Sequence, residues 1–352
     1  METVTNEALV RYICEIKKEF FSRSNFPKFI IGTGLSVSYN VAGMDTLSQD
    51  FETHFESNTD FSEIWPEVKE IMSEKGLEAA LQAPIISKSK NGNKFIECIT
   101  SLSSKRVLTD TRDNIETIKN TNRGFMKLIS YLAETVSRND RLIDIMTPNY
   151  DLIIELVCEE VGVGIIDGFS GEYYQTFAEN ELSEPRKIFR LTEKPYVRLM
   201  KPHGSINWVS TSSGMLYKVN DFGYLFDHIN ELQIIAPGAG KYEMGMTGAI
   251  FTHNREIFNN ILRSKNDCPL VIYGYGFNDE HFNLSIIENS NQKILVLSFN
   301  IKEDILIRLQ KNSKAVAFYQ KEGKNYMLYK SHTYKIERGL WDLDELVSQM
   351  VA

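Results

Sequence analysis

Short apolar runs that stop at a glycine or a polar turn recur along this 352-residue chain, and they constrain its fold more than any other feature. KFIIG (28–32), RLIDIMT (141–147), YVRLM (196–200), LQIIAP (232–237), PLVIYG (269–274) and KILVLSFN (293–300) all have strand length. Runs that are apolar throughout suit strands covered on both faces, the condition of a parallel sheet. Five or six such strands predict an α/β fold: a doubly wound, mostly parallel, Rossmann-like sheet. The last run, KILVLSFN, reads as an edge or closing strand. Ligands of such sheets bind at the carboxyl ends of the strands, so the turns after the runs are where chemistry is expected.

The segments between the runs fix the organisation. EALVRYICEIKKEFF (7–21) places Leu9, Ile13, Ile16 and Phe20 at helical spacing. Residues 51–140 carry helical periodicity interrupted by the loop signal SKSKNGNK, and they read as a helical insertion. The stretch VGVGIIDGFSGEYYQTF is β-like and punctuated by glycine. The expected division is therefore residues 1–50 plus 141–300 as the catalytic sheet domain, 51–140 as the insertion, and 301–352 as an extension packed on that domain. No repeat of 20–50 residues is present.

Composition excludes several classes. Four scattered cysteines without a CxxC pair argue against a zinc site and a disulfide framework, so no metal is expected. No stretch approaches the ~18 apolar residues of a membrane span, and no signal segment opens the chain, so a cytoplasmic location away from membranes is expected. A net charge of −8 makes the whole chain a poor nucleic-acid binder. The run Arg11, Lys17, Lys18, Arg23, Lys28 reads as the solvated face of the N-terminal helix.

Four turns carry candidate chemistry. Gly32-Thr33-Gly34-Leu35-Ser36 follows a strand, and glycines there let backbone N–H groups approach a phosphate; a tight strand-to-helix turn explains it as well. In Thr147-Pro148-Asn149-Tyr150-Asp151, the Asn149 amide could donate and accept toward a sugar hydroxyl or water, while Asn149 or Asp151 could equally cap the next helix. His203, in Lys201-Pro202-His203-Gly204-Ser205, sits in a turn as a potential general base; the other five histidines read as surface residues. Gly274-Tyr275-Gly276-Phe277-Asn278-Asp279 makes a turn in which Asp279 would cap the helix EHFNLSIIE.

In this order, over about residues 28–300, GTGLS, TPNYD, KPHGS and YGYGFND resemble the successive motifs of the sirtuin superfamily, most of all the sirtuin-like NAD hydrolases of bacterial anti-phage defence. The resemblance implies NAD as substrate. It implies that Gly32, Thr33, Gly34 and Ser36 cradle its phosphates, that Asn149 positions ribose and water with support from Asp151, and that His203 is the base. Gly274, Tyr275, Asn278 and Asp279, with Ser298 and Asn300, would face the adenosine side. Sirtuin deacylases carry Gly-Ile-Pro-Asp-Phe-Arg where this chain has Gly43-Met44-Asp45-Thr46-Leu47-Ser48, and a four-cysteine zinc ribbon that is missing here.

Those departures favour an NAD+ glycohydrolase releasing nicotinamide and ADP-ribose, an antiviral effector of abortive infection that is silent until activated. The alternatives are an NAD-dependent protein deacylase and a non-catalytic NAD or ADP-ribose sensor or assembly subunit. The resemblance also implies a homo-oligomer, or a partner such as a HerA-like ATPase or a phage trigger protein. Gly238-Ala239-Gly240-Lys241 lacks the spacing of a nucleotide-triphosphate loop, so any ATPase would be a separate chain.

Overall fold

The computed structural model describes residues 3–120, 122–136, 142–171, 174–185, 195–211, 214–236, 248–264, 268–278, 286 and 292–351. Asp279 with all but Ile286 of the helix it would cap, and the Gly238–Lys241 turn, lie outside them.

The chain is mixed α/β, built on a large and mostly parallel sheet. In chain order its strands are β1 (Lys28–Ile31), β2 (Leu142–Met146), β3 (Gly164–Ile166), β6 (Tyr196–Met200), β10 (Leu270–Tyr273), β11 (Ile294–Ser298), β12 (Ala315–Lys321), β13 (Lys324–Tyr329) and β14 (His332–Ile336). Their spatial order is β14-β13-β12-β11-β10-β1-β2-β6-β3. The pairs from β3 across to β12 are parallel, and β13 and β14 continue as antiparallel hairpins. A second, antiparallel sheet holds β4 (Phe169–Ser170), β5 (Gln175–Phe177), β7 (Gly204–Ser210), β8 (Leu216–Lys218) and β9 (Leu232–Ile234), in the order β4-β5-β8-β7-β9.

Period-two alternation divides each central strand between two cores. Phe29 and Ile31 of β1, Val271 and Tyr273 of β10, and Leu295 and Leu297 of β11 pack on one side. There they meet the helices Asn6–Phe20, Gly124–Thr135 and Leu343–Val351. Ile30, Ile272 and Val296 pack on the other, against the helices Ala249–Ser264 and Glu303–Lys311. Both faces are covered, which explains why these runs are apolar at every position. The architecture is compatible with a Rossmann-like fold.

The order of strands reverses at β1. From β1 the chain proceeds to β2, β6 and β3 on one side, and later to β10, β11 and β12 on the other. The crevice between the carboxyl ends of β1 and β10 is thus the topological switch point.

Several expectations are corrected. KILVLSFN is no edge: β11 lies between β10 and β12, and all five of its residues are buried. LQIIAP does not join the main sheet. Its β9 buries Leu232 and Ile234 but leaves Gln233 partly open, the pattern of a sheet with one covered face. Residues beyond 300 add three strands to the main sheet itself. Lys28 is not on the solvated face of the first helix; it opens β1, and its Nζ donates to Leu262 O in the interior.

Between Met44 and Thr135 the described structure is helical, in pieces. The helices from Met44–Glu56 to the first half of Gly92–Asp113 build their own core around Phe51, Phe55, Trp65 and Phe95. Val107, Leu108 and the helix Gly124–Thr135 instead join the core under the main sheet. No described helix is long and apolar enough to cross a membrane.

Candidate active site

The two glycine turns at the switch point are packed against each other. Gly32 N donates to Tyr273 O at 2.8 Å and Gly34 N to Gly274 O at 2.9 Å. A Cβ on Gly34 would lie 2.5 Å from Gly274 Cα, and one on Gly32 would lie 2.5 Å from Gly274 O. Gly274 itself has φ +60. These glycines are therefore required by backbone-on-backbone contact, and the N–H groups of Gly32 and Gly34 are already engaged. From these turns it is Thr33, Ser36, Tyr275, Gly276 and Asn278 that line the cleft beside them.

The Asn149 turn docks onto this base. Thr147 Oγ1 donates to Ile31 O at 2.7 Å and accepts from Asn149 N at 3.1 Å. Asn149 Nδ2 lies 2.9 Å from Gly32 O and 3.0 Å from Ser36 Oγ. A carbonyl oxygen only accepts, so the atom facing Gly32 is the amide nitrogen. Ser36 Oγ directs its own proton to Asp151 Oδ2 at 2.6 Å, which leaves a lone pair for Asn149. Both amide hydrogens are thereby fixed, and Asn149 Oδ1, buried and without a protein partner among the described residues, is an acceptor. The expected two-way amide is narrowed to one that accepts. Neither Asn149 nor Asp151 is the N-cap of the next helix, a place taken by Leu152; Asp151 Oδ1 accepts from Ile153 N, the first N–H of that helix, at 3.1 Å.

A buried lysine holds the histidine turn to the asparagine turn. Lys201 Nζ donates to Asp151 O at 2.5 Å, Glu155 Oε1 at 2.7 Å and Ser205 Oγ at 3.0 Å, which uses its three protons. Lys201 N donates to Asn254 Oδ1, tying the turn to the helix Ala249–Ser264. Gly204 N closes the turn onto Lys201 O at 3.0 Å. Gly204 has φ +84, and a Cβ there would meet Gln233 O at 2.0 Å, so only glycine fits. His203 is carried into the cleft by this turn, 7% exposed, with its carbonyl accepting from Ile235 N.

Tyr150 also anchors to Ile235, donating its hydroxyl to the carbonyl at 2.5 Å. Burial, and after it the charge of Glu78, raises the Tyr150 hydroxyl far above its ordinary pKa, so it acts as a fixed donor and not as a proton shuttle.

The cleft spans roughly 740 Å³ of non-atom space, its open mouth included. It gathers Thr33, Ser36, Asn149, Asp151, His203, Tyr275 and Asn278 from sequence-distant motifs. Gly32, Gly34 and Gly274 stand behind that lining. Ser298 and Asn300 do not line it; Ser298 Oγ bonds Asn300 O in a local turn. The opposite wall comes from the helical segment: Met44, Leu47, Glu78 and Val107. Among the described lining residues there is no lysine or arginine. Among the described residues no group of three or more His, Cys, Asp or Glu could hold a metal ion.

No model of a known protein family matches this chain, and no curated protein matches its sequence. Site residues must therefore be weighed on geometry alone.

By that measure sequence reasoning missed Lys201, Tyr150 and the helical wall. A lysine ending an apolar strand was a usable signal for Lys201, because buried amines are found with partners. Nothing local distinguishes Glu78 from the other acidic residues of its segment.

Proposed function

We propose that this chain is a sirtuin-like NAD+ glycohydrolase, cleaving NAD to nicotinamide and ADP-ribose, and an anti-phage defence effector that depletes NAD once activated. Asn149 carries the reading: its Oδ1 is a pre-oriented acceptor in the same cleft as His203. The place of the cleft at the switch point of the sheet supports a nucleotide ligand.

The reaction needs little acid catalysis. When the ribose C1′–N bond breaks, its electron pair returns to the pyridinium nitrogen and nicotinamide leaves neutral. What remains is to stabilise an oxocarbenium-like ribose and to activate water, the demand met in glycoside hydrolysis. Asn149 Oδ1 accepts a hydrogen bond from the water or a ribose hydroxyl. The water oxygen bonds C1′ while His203 takes its proton and later releases it to solvent. Ser36, Asp151 and Lys201 keep the two turns in register. Control by homo-oligomerisation, a separate HerA-like ATPase or a phage trigger protein belongs to the same proposal.

The test is nicotinamide release from NAD by the purified protein, with and without a co-encoded neighbour. Asn149→Ala and His203→Ala should each lower turnover by about 10²–10⁴-fold. Substantial cleavage by either variant would overturn the assignment, and tight NAD binding without release under every condition would favour a sensor.

A further inference from the structure

Five residues, Tyr39 to Gly43, join the helix Thr33–Ser38 to the helix Met44–Glu56. This short loop links the two walls of the cleft. Thr33 and Ser36 line the cleft before it, Ala42 and Gly43 line it from the loop itself, and Met44 and Leu47 line it beyond. At its start the loop turns on Ser36 O, which accepts from Tyr39 N and Val41 N at 3.0 and 2.9 Å. From Ser38 on, alternate residues are held by side chains of the helical segment. Arg123 Nη2 donates to Ser38 O, Asn114 Nδ2 donates to Asn40 O at 3.3 Å, and Asp110 Oδ2 accepts from Ala42 N at 2.9 Å. Each of these side chains is braced in turn. Arg106 pairs with both oxygens of Asp110, at 3.0 and 2.9 Å, and with both of Asp50 on the helix Met44–Glu56. Asn114 Nδ2 also donates to Asp110 O at 2.9 Å. The Arg123 guanidinium lies over the Tyr39 ring, 4.8 Å from its centroid, and pairs with Asp344 of the C-terminal helix at 3.2 Å.

We propose that Asp110, Asn114 and Arg123 are positioning residues of the site. They clasp the loop so that the wall carrying Met44 and Leu47 stands at a fixed place relative to Ser36, and through Ser36 relative to Asn149. This rests on reading the cleft as an NAD-cleaving site. The helix Thr33–Ser38 has six residues, too few for stability of its own, so its orientation is set by what grips its ends. One grip is the bond from Gly34 N to Gly274 O; the other is the clasp. Between them Ser36 Oγ bonds both Asn149 and Asp151, so any shift of this helix moves the Asn149 acceptor. Apolar contact by Met44 and Leu47 is not directional and cannot by itself set that geometry. Hydrogen bonds to a carboxylate or from a guanidinium are directional and strong, which suits Asp110 and Arg123 to the task. A displacement of about 1 Å at a reacting centre can cost about 10²-fold in rate.

Two measurements on the same proteins test the proposal: amide hydrogen exchange of the loop without ligand, and nicotinamide release from NAD. The variants are Asp110→Ala, Arg123→Met and Arg123→Lys. Val316→Ala, a cavity in the buried strand β12 away from the cleft, is the control for lost stability alone. In Asp110→Ala the Ala42 N–H should exchange about five- to tenfold faster, the loss of one hydrogen bond. Its kcat/KM, measured where the protein is fully folded, should fall by about 10–10²-fold. Arg123→Lys, which keeps a donor for Ser38 O, should retain more activity than Arg123→Met. Val316→Ala should lower the unfolding midpoint and leave kcat/KM unchanged. Unchanged exchange at Ala42 in Asp110→Ala overturns the clasp, whatever the protein does to NAD. Faster exchange with wild-type kcat/KM, or an equal loss of kcat/KM in Val316→Ala, overturns its role in the site and leaves the NAD reading intact. No nicotinamide release by wild type under any condition overturns the NAD reading and this role with it.

Discussion

Lys201→Met tests the junction on which the candidate site depends. The substitution keeps an unbranched stem of similar length in a position 1% exposed, and removes three donors at once. Asp151 O and Ser205 Oγ each lose one hydrogen bond, worth about 1 kcal/mol apiece in net stability. The larger effect falls on Glu155. Its side chain is 14% exposed and its second oxygen, Oε2, has no partner among the described residues, so its charge is left almost dry. Removing one member of a buried pair costs about 3–5 kcal/mol. The slight exposure of Glu155 admits some water, so a loss near 3 kcal/mol is expected. Denaturant unfolding followed by circular dichroism measures it. Lys201→Met combined with Glu155→Gln should be about 1–3 kcal/mol less damaged than the sum of the single changes, because the stranded charge is gone. A loss under about 1 kcal/mol for Lys201→Met, or strict additivity in the pair, would refute the view that Lys201 joins the two turns.

Two further outcomes probe the backbone. Gly34→Ala, whose Cβ would sit 2.5 Å from Gly274 Cα, should force the two glycine turns apart and lower stability by about 1–3 kcal/mol; a melting temperature equal to wild type would contradict that packing. The turns Glu322–Gly323 and Lys330–Ser331 both have two residues at positive φ, 51° and 72° and 48° and 66°, the geometry of type I′ hairpins. Lys330→Asn with Ser331→Gly should therefore raise stability by about 0.5–1 kcal/mol in thermal unfolding, and a decrease would speak against the turn type.

Much of the frame was legible before any coordinates. Runs such as KFIIG and PLVIYG are apolar at every position, and that pattern has one economical explanation, a strand buried on both faces. The turn between two such strands must be glycine where backbones touch, as at Gly34 and Gly274. Asn149 and His203 stood out only through their place in a series of four strand-end turns, since alone a helix cap and a turn histidine explain them. The second hairpin, β13 to β14, was not legible, because Lys330–Ser331 carries none of the residues that favour a type I′ turn; the first was missed although Gly323 marked its turn. The assignment of LQIIAP to the second sheet was missed although Gln233 between Leu232 and Ile234 already marked a strand with one covered face.

By itself, then, the sequence determined the class of fold, the places where the chain turns and the residue types offered at the carboxyl ends of the strands. These follow from local periodicity and backbone sterics, which act over a few residues. Only the tertiary structure decided what those residues can do. That Asn149 offers the cleft an acceptor depends on its Nδ2 donating to Gly32 O and Ser36 Oγ, 117 and 113 positions away in the chain. That Lys201 clasps Asp151 and Glu155, and that Glu78 enters the cleft from the helical segment, likewise depends on partners brought together by packing. Hydrogen-bond direction and electrostatic field are properties of pairs in space, and a linear pattern records only one member of each pair.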